Sequence, residues 1–119
     1  MSETVTIYHN PRCSKSRETL ALLKEHGVEP EIVLYLETPP DAATIEKLLQ
    51  MLGMSSAREL MRSKEDLYKA LNLDDSTLTQ EQLVQALVEN PKLIERPIVV
   101  NKGKARIGRP PEQVLEILA

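Results

Sequence analysis

VTIYHNPRCSKSRETLALLKEHGVEPEIVLY, residues 5–35, reads as strand, helix and strand in close succession. Val5, Thr6, Ile7 and Tyr8 make a short β-prone run. The turn formers Asn10 and Pro11 follow. From about Ser14 to His26 the pattern is helical, with Leu20, Ala21, Leu22 and Leu23 apolar, and Gly27 stands where a helix stop is expected. Residues 31–35, EIVLY, form a second strand. Two strands joined by one helix in so short a span make a parallel β-α-β unit.

Further along, Pro39 and Pro40 close that unit. Asp41 is placed to cap a helix in which Ile45, Leu48, Leu49 and Leu52 recur at i, i+3, i+4 and i+7, and Gly53 ends it. Ser56 and Glu59 have capping-box spacing before a short helix through Arg62. Another helical piece is expected over 64–71. Thr79 and Gln82 repeat the capping-box spacing ahead of Leu83, Val84, Leu87 and Val88. Residues 41–90 thus read as an inserted, all-helical subdomain within one domain spanning 1–119. The chain returns to β at 98–100, turns over 101–104 and forms a last strand over 105–107. Pro110 and Pro111 then open a final helix with Val114, Ile117 and Leu118 on one face. The fold class expected is α/β, in the order β-α-β, helices, β-β-α.

Composition narrows the chemistry. The 119 residues suit one compact domain, 41% hydrophobic and 28% charged. With no Trp or Phe and three Tyr, the core has to be aliphatic. A net charge of −3 argues against general nucleic-acid binding. No apolar run is long enough to span a bilayer, and MSETVTIYHN lacks the basic start and apolar stretch of a signal peptide. The cytoplasm is the expected compartment. A single cysteine, Cys13, forbids an intrachain disulfide, and one Cys with two His is too few for a zinc site of standard composition.

Cys13 lies in the loop after the first strand, at the start of a helix. Unpaired backbone N–H groups and the positive end of the helix dipole favour a thiolate there. Arg12, Lys15 and Arg17 add positive charge, with Lys15 read as a solvated surface residue. Pro11 stiffens the approach, and Asn10 and Ser14 can donate hydrogen bonds. His9, at the strand end, can stabilise the thiolate directly or by ordering the loop. A lone cysteine is by default a small buried hydrophobe, but these polar, cationic neighbours are those of a nucleophile. The same geometry binds oxyanions. A nucleophilic sulfur in an oxyanion-binding loop points to attack on a tetrahedral oxyanion, as in phosphatases and enzymes acting on arsenate.

YHNPRCSKSRETL, YLETPP, ERPIVV and IGRPPEQVLEIL occur in that order, and together they resemble the glutaredoxin-dependent arsenate reductase family of bacteria. The likeness runs from Val5 to Leu118 and is greatest to the short, housekeeping branch. It implies a thioredoxin-like fold with a helical insertion. It implies that Cys13 is the nucleophile, that His9 lowers its pKa, and that Arg62, Arg96 and Arg109 bind the oxyanion. It also implies a cis Arg96–Pro97 bond. Arsenate presents an edge of acceptors suited to the guanidinium fork. Asn10, Ser14, Ser16 and Arg17 are the expected supports of the loop. Arg58 and Arg106 have no comparable backing.

The implied cycle needs no metal and no bound organic cofactor, with arsenate or a similar oxyanion as substrate, glutathione as co-substrate and glutaredoxin as protein partner. Ser16 stands where many redox proteins carry a second cysteine, so the resolving thiol has to come from outside. Three other readings remain at this level. A monothiol oxidoreductase acting on glutathione mixed disulfides would not need three arginines. A non-catalytic Spx-like regulator of RNA polymerase usually carries a Cys-x-x-Cys pair. A low-molecular-weight-type phosphatase would place an arginine where Thr19 stands.

Overall fold

The computed structural model describes residues 5–118; residues 1–4 and 119 of the expected domain lie outside the described residues. The elements run β1 (Thr6–Tyr8), α1 (Ser14–Glu25), β2 (Glu31–Val33), α2 (Ala42–Leu52), α3 (Asp66–Ala70), α4 (Gln80–Glu89), β3 (Ile98–Asn101) and β4 (Lys104–Ile107). Three 3-10 helices, Ala57–Leu60, Pro91–Leu93 and Pro111–Ile117, complete the order. The chain divides into two compact units: one runs through Thr38 and resumes at Arg96, the other spans Pro39–Glu95.

The first unit holds a four-stranded sheet in the order β2-β1-β3-β4. β1 pairs with β2 in parallel, Ile7 opposite Ile32, and with β3 antiparallel, Ile7 opposite Val99. β3 and β4 form an antiparallel hairpin. Its two loop residues, Lys102 and Gly103, both have positive φ, 55° and 78°, as the tight turn that matches strand twist requires. Val5 and Ile7 alternate on one face of the sheet and share a buried core with Leu23 of α1, Val99 of β3, and Val114 and Ile117 of the last 3-10 helix. A β-α-β unit followed by a β hairpin and a helix on one sheet is the thioredoxin-like arrangement. The final element differs in kind from the expected α-helix: Pro111–Ile117 is a 3-10 helix. Its tighter winding still presents Val114 and Ile117 to the core at i and i+3. Strand β2 is also shorter than 31–35, because Leu34 carbonyl accepts from the N–H groups of Glu37 and Thr38 and turns the chain.

The second unit is helical. Asp41 caps α2 by accepting from Thr44 N–H at 2.8 Å, and Gly53 ends it at φ 74°. Ser56 with Glu59, and Thr79 with Gln82, form complete capping boxes. The short helix after Ser56 is 3-10, stops at Leu60, and leaves Arg62 beyond it. The unit runs on to Glu95 through the turn Pro91–Leu93 and an isolated bridge between Met61 and Ile94. α2 and α4 pack together, burying Ile45, Leu48 and Leu49 with Leu83, Val84 and Leu87. Among the described residues no helix is long and apolar enough to cross a membrane.

Candidate active site

The loop between β1 and α1 is folded by its own hydrogen bonds. Cys13 N–H donates to Asn10 carbonyl at 3.0 Å, and Arg12 N–H donates to Asn10 Oδ1 at 3.0 Å. Arg17 Nη1 reaches back to Pro11 carbonyl at 3.1 Å. Cys13 is the N-cap residue of α1, in extended conformation, and its side chain is buried at 8% exposure. The sulfur makes no cap hydrogen bond, yet it sits where the first N–H groups of the helix converge.

Opposing forces act on that thiol. Burial pushes its pKa up. The Ser16 backbone N–H, the Arg96 guanidinium, the Lys15 backbone N–H and the Arg109 guanidinium pull it down, and their sum leaves it below the ordinary thiol value. Arg109 Nη2 lies 3.9 Å from Cys13 Sγ, and Arg109 Nε donates to Arg96 carbonyl at 2.9 Å. Arg96 is half-buried, with its Nε and Nη1 atoms enclosed. Each of these arginines precedes a cis proline: the expected Arg96–Pro97 bond is cis, and so is Arg109–Pro110, which no expectation covered. Two cations and the N-terminus of α1 therefore converge on one sulfur.

His9 is buried and sits 2.6 Å through Nδ1 from Ser16 Oγ. Burial, then the Arg17 charge, lower its pKa and favour the neutral ring. Ser16 Oγ also accepts from Asn10 N–H at 3.0 Å. Which of the two donates in the His9–Ser16 contact is set by the tautomer of the neutral ring. His9 thus touches Ser16, whose backbone N–H is the largest of the effects favouring the thiolate. Its path to the sulfur runs through the loop. Ser16 is more than a missing cysteine: it is fully buried and holds both His9 and Asn10. Ser14 is exposed on the first turn of α1, and Lys15 pairs with Glu18 at 3.4 Å on the surface. It is the Lys15 backbone, not its side chain, that acts on Cys13.

Arg62 belongs to the helical unit. It pairs closely with Glu65, and its Nε lies 4.0 Å from Glu95 Oε1. Glu65 is shared with Lys92 at 3.7 Å. Arg58 and Arg106 have structural employment. Arg58 donates to the carbonyls of Leu73 and Asp75, and Arg106 pairs with Glu116 at 3.0 Å. Gly108, which no expectation singled out, and Thr19, which enters the expectations only as the absence of a phosphatase arginine, are both buried beside these elements. A glycine at the end of a strand, as at 108, is a recognised sign of close backbone approach.

A thioredoxin-like unit with one buried, thiolate-favouring cysteine and two arginines beside it defines a single-thiol redox or oxyanion-directed protein. The chain matches the ArsC family over residues 8–117, and it belongs to that family. The arsenate reductase of Haemophilus influenzae is 54% identical to it over 97% of this chain and 99% of that protein. An Escherichia coli K12 protein named "Uncharacterized protein YfgD" is 76% identical over 99% of each chain. The solved structure of an arsenate reductase from Vibrio cholerae, 58% identical, matches with a TM-score of 0.96 over 99% of this chain and 100% of that one.

Proposed function

We propose that this protein reduces arsenate to arsenite, with Cys13 as nucleophile, glutathione as co-substrate and glutaredoxin as the final thiol donor. The observation that carries the reading is the convergence of Arg96 and Arg109 on a cysteine whose thiolate is favoured. Membership of a family whose members include arsenate reductases supports it.

The cycle balances as follows. The Cys13 thiolate attacks arsenic; a sulfur–arsenic bond forms and one arsenic–oxygen bond breaks, releasing water or hydroxide. Arg96 and Arg109 offset the repulsion between thiolate and oxyanion and hold the oxyanion's acceptor edge. Arg62 is the third proposed ligand; its carboxylate partners would then have to yield to the substrate. A glutathione thiolate next forms a sulfur–sulfur bond with Cys13 while the sulfur–arsenic bond breaks. The two electrons of that bond go to arsenic, which leaves as arsenite. Glutaredoxin then attacks the glutathione sulfur of the mixed disulfide and returns Cys13 as thiolate. No step calls for a metal or a bound organic cofactor. His9, Ser16, Asn10 and Arg17 keep the loop in place, with Ser14 on the rim. Dependence on glutathione assigns the reaction to the reducing cytoplasm.

Purified protein with glutathione and glutaredoxin should release arsenite from arsenate, and omission of either thiol should stop turnover. No arsenite, under conditions in which a known reductase turns over, would contradict the proposal.

A further inference from the structure

The buried stripe of α1 is Ser16, Thr19 and Leu23, so two of its three residues are polar. Ser16 is explained by His9 and Asn10. Thr19 is fully buried, and its Oγ1 donates to Lys15 carbonyl at 2.8 Å, which fixes its rotamer against the helix. What faces that locked side chain is Gly108. A Cβ on Gly108 would lie 2.4 Å from Thr19 Oγ1, 3.1 Å from Thr19 Cγ2 and 2.9 Å from Pro97 Cγ. Gly108 N–H meanwhile donates to Pro97 carbonyl at 2.9 Å. The backbone at 108 is therefore wedged between α1 and Pro97, with no room for even a methyl group.

Each side of this wedge adjoins a group of the site. Thr19 stands on α1, the helix that Cys13 caps. Pro97 follows Arg96, and Gly108 precedes Arg109. Arg109 leaves the wedge with its N–H on Ile107 carbonyl, its Nε on Arg96 carbonyl and its Nη2 at Cys13 Sγ.

We infer that Gly108 is a positioning residue of the oxyanion site: its missing side chain, seated on Thr19 and Pro97, sets how close Arg109 and Arg96 come to Cys13. This rests on the reading of those three residues as the reactive centre. A side chain at 108 has to push the strand end outward, because Thr19 is locked and its neighbours are buried. The arginines then retreat from the sulfur. Oxyanion binding weakens, and the thiolate loses part of what favours it.

The test is Gly108→Ala in the full chain, with two readouts. Iodoacetamide alkylation of Cys13 across pH, without arsenate, reports the thiol pKa. Steady-state kinetics report KM for arsenate. The expected result is a higher thiol pKa, several-fold slower alkylation at neutral pH, and a KM raised about tenfold, as one weakened charge-assisted contact predicts. The effect on KM should exceed that on kcat. Adding Thr19→Ala, which removes Oγ1 and Cγ2 from the wedge, should recover much of both losses. Should Gly108→Ala not fold, Thr19→Val sets a methyl group against Gly108 and carries the same test from the helix. Wild-type alkylation and KM in the foldable variant, with only a lowered melting temperature, would overturn the inference. The alkylation arm needs no arsenate turnover, so it stands apart from any failure of the arsenate reading.

Discussion

The two compact units of this chain bury different kinds of side chain. Among the described residues, the buried polar ones are His9, Ser16, Thr19 and Asn101, and all four lie in the thioredoxin-like unit. The helical unit buries Ile45, Leu48, Leu49, Leu60, Leu83, Leu87 and their like. Buried polar groups add little net stability but demand specific geometry. Three of the four bond backbone directly: Ser16 the Cys13 loop, Thr19 the start of α1, and Asn101, through a 2.7 Å bond from Nδ2 to Ile117 carbonyl, the last 3-10 helix; His9 holds Ser16. The helical unit relies on caps and an aliphatic core. Its one candidate ligand, Arg62, is held by carboxylates. One unit fixes its backbone through buried polar side chains, the other through caps and aliphatic packing.

The largest effect is expected from Cys13→Ser. It should lower arsenite production at least about a thousandfold, as loss of a nucleophile does, without unfolding the chain. Arg109→Ala and Arg62→Ala come next and should separate the units. Both raise KM for arsenate, roughly ten- to a hundredfold for a lost charge-assisted contact. Only Arg109→Ala should also raise the Cys13 thiol pKa, since Arg109 is among the charges acting on the free thiol. An equal pKa rise in both variants, read by alkylation, would erase the distinction.

Ser16→Ala removes the partner of His9 Nδ1 and Asn10 N–H. A loss of about 1–3 kcal/mol is expected in chemical denaturation, from buried polar groups left unsatisfied. Slower alkylation of Cys13 should accompany it. A smaller effect concerns pH. The folded pKa of His9 lies below its ordinary value, so the unfolded chain binds the proton more readily. Stability should therefore fall as pH drops below about 6.5. Cys13 also has a lowered pKa, so its contribution is full above the ordinary thiol range and is lost as pH falls through the lowered value. His9→Gln should flatten the acid-side slope in denaturant titrations across pH. Last, Thr79→Ala should cost about 1 kcal/mol through loss of a cap and leave Cys13 alkylation unchanged.

Local signals in the sequence carried far because they are local. Asp41, Ser56 and Thr79 cap where their spacing predicted, and Gly27 and Gly53 have the positive φ of helix ends. The β1–β2 and β3–β4 pairings follow from the β-α-β unit and the hairpin, while the β1–β3 pairing that joins them is a contact between distant segments. What the sequence hid depends on contacts between distant segments. Ser16 is expected as a support of the loop, but that its one hydroxyl meets both His9 and Asn10 N–H depends on the folded loop. Thr19 looked like an ordinary helix residue, because its neighbour Gly108 lies far along the chain. Winding at the chain's end was misjudged too, since Val114 and Ile117 suit α and 3-10 spacing alike. Arg96 and Arg109 need the family resemblance to single them out, whereas in the structure both charges act on one sulfur, with Arg109 Nη2 at 3.9 Å from it.

Everything proposed for the site depends on Cys13 being a thiolate held among oxyanion-binding groups. The most direct measurement of that state is the pH dependence of Cys13 alkylation with and without sulfate, an unreactive tetrahedral anion. The thiol pKa should lie below the ordinary value, shift upward when sulfate shares the site, and lose that shift in Arg109→Ala. An ordinary thiol pKa with no response to sulfate would contradict it.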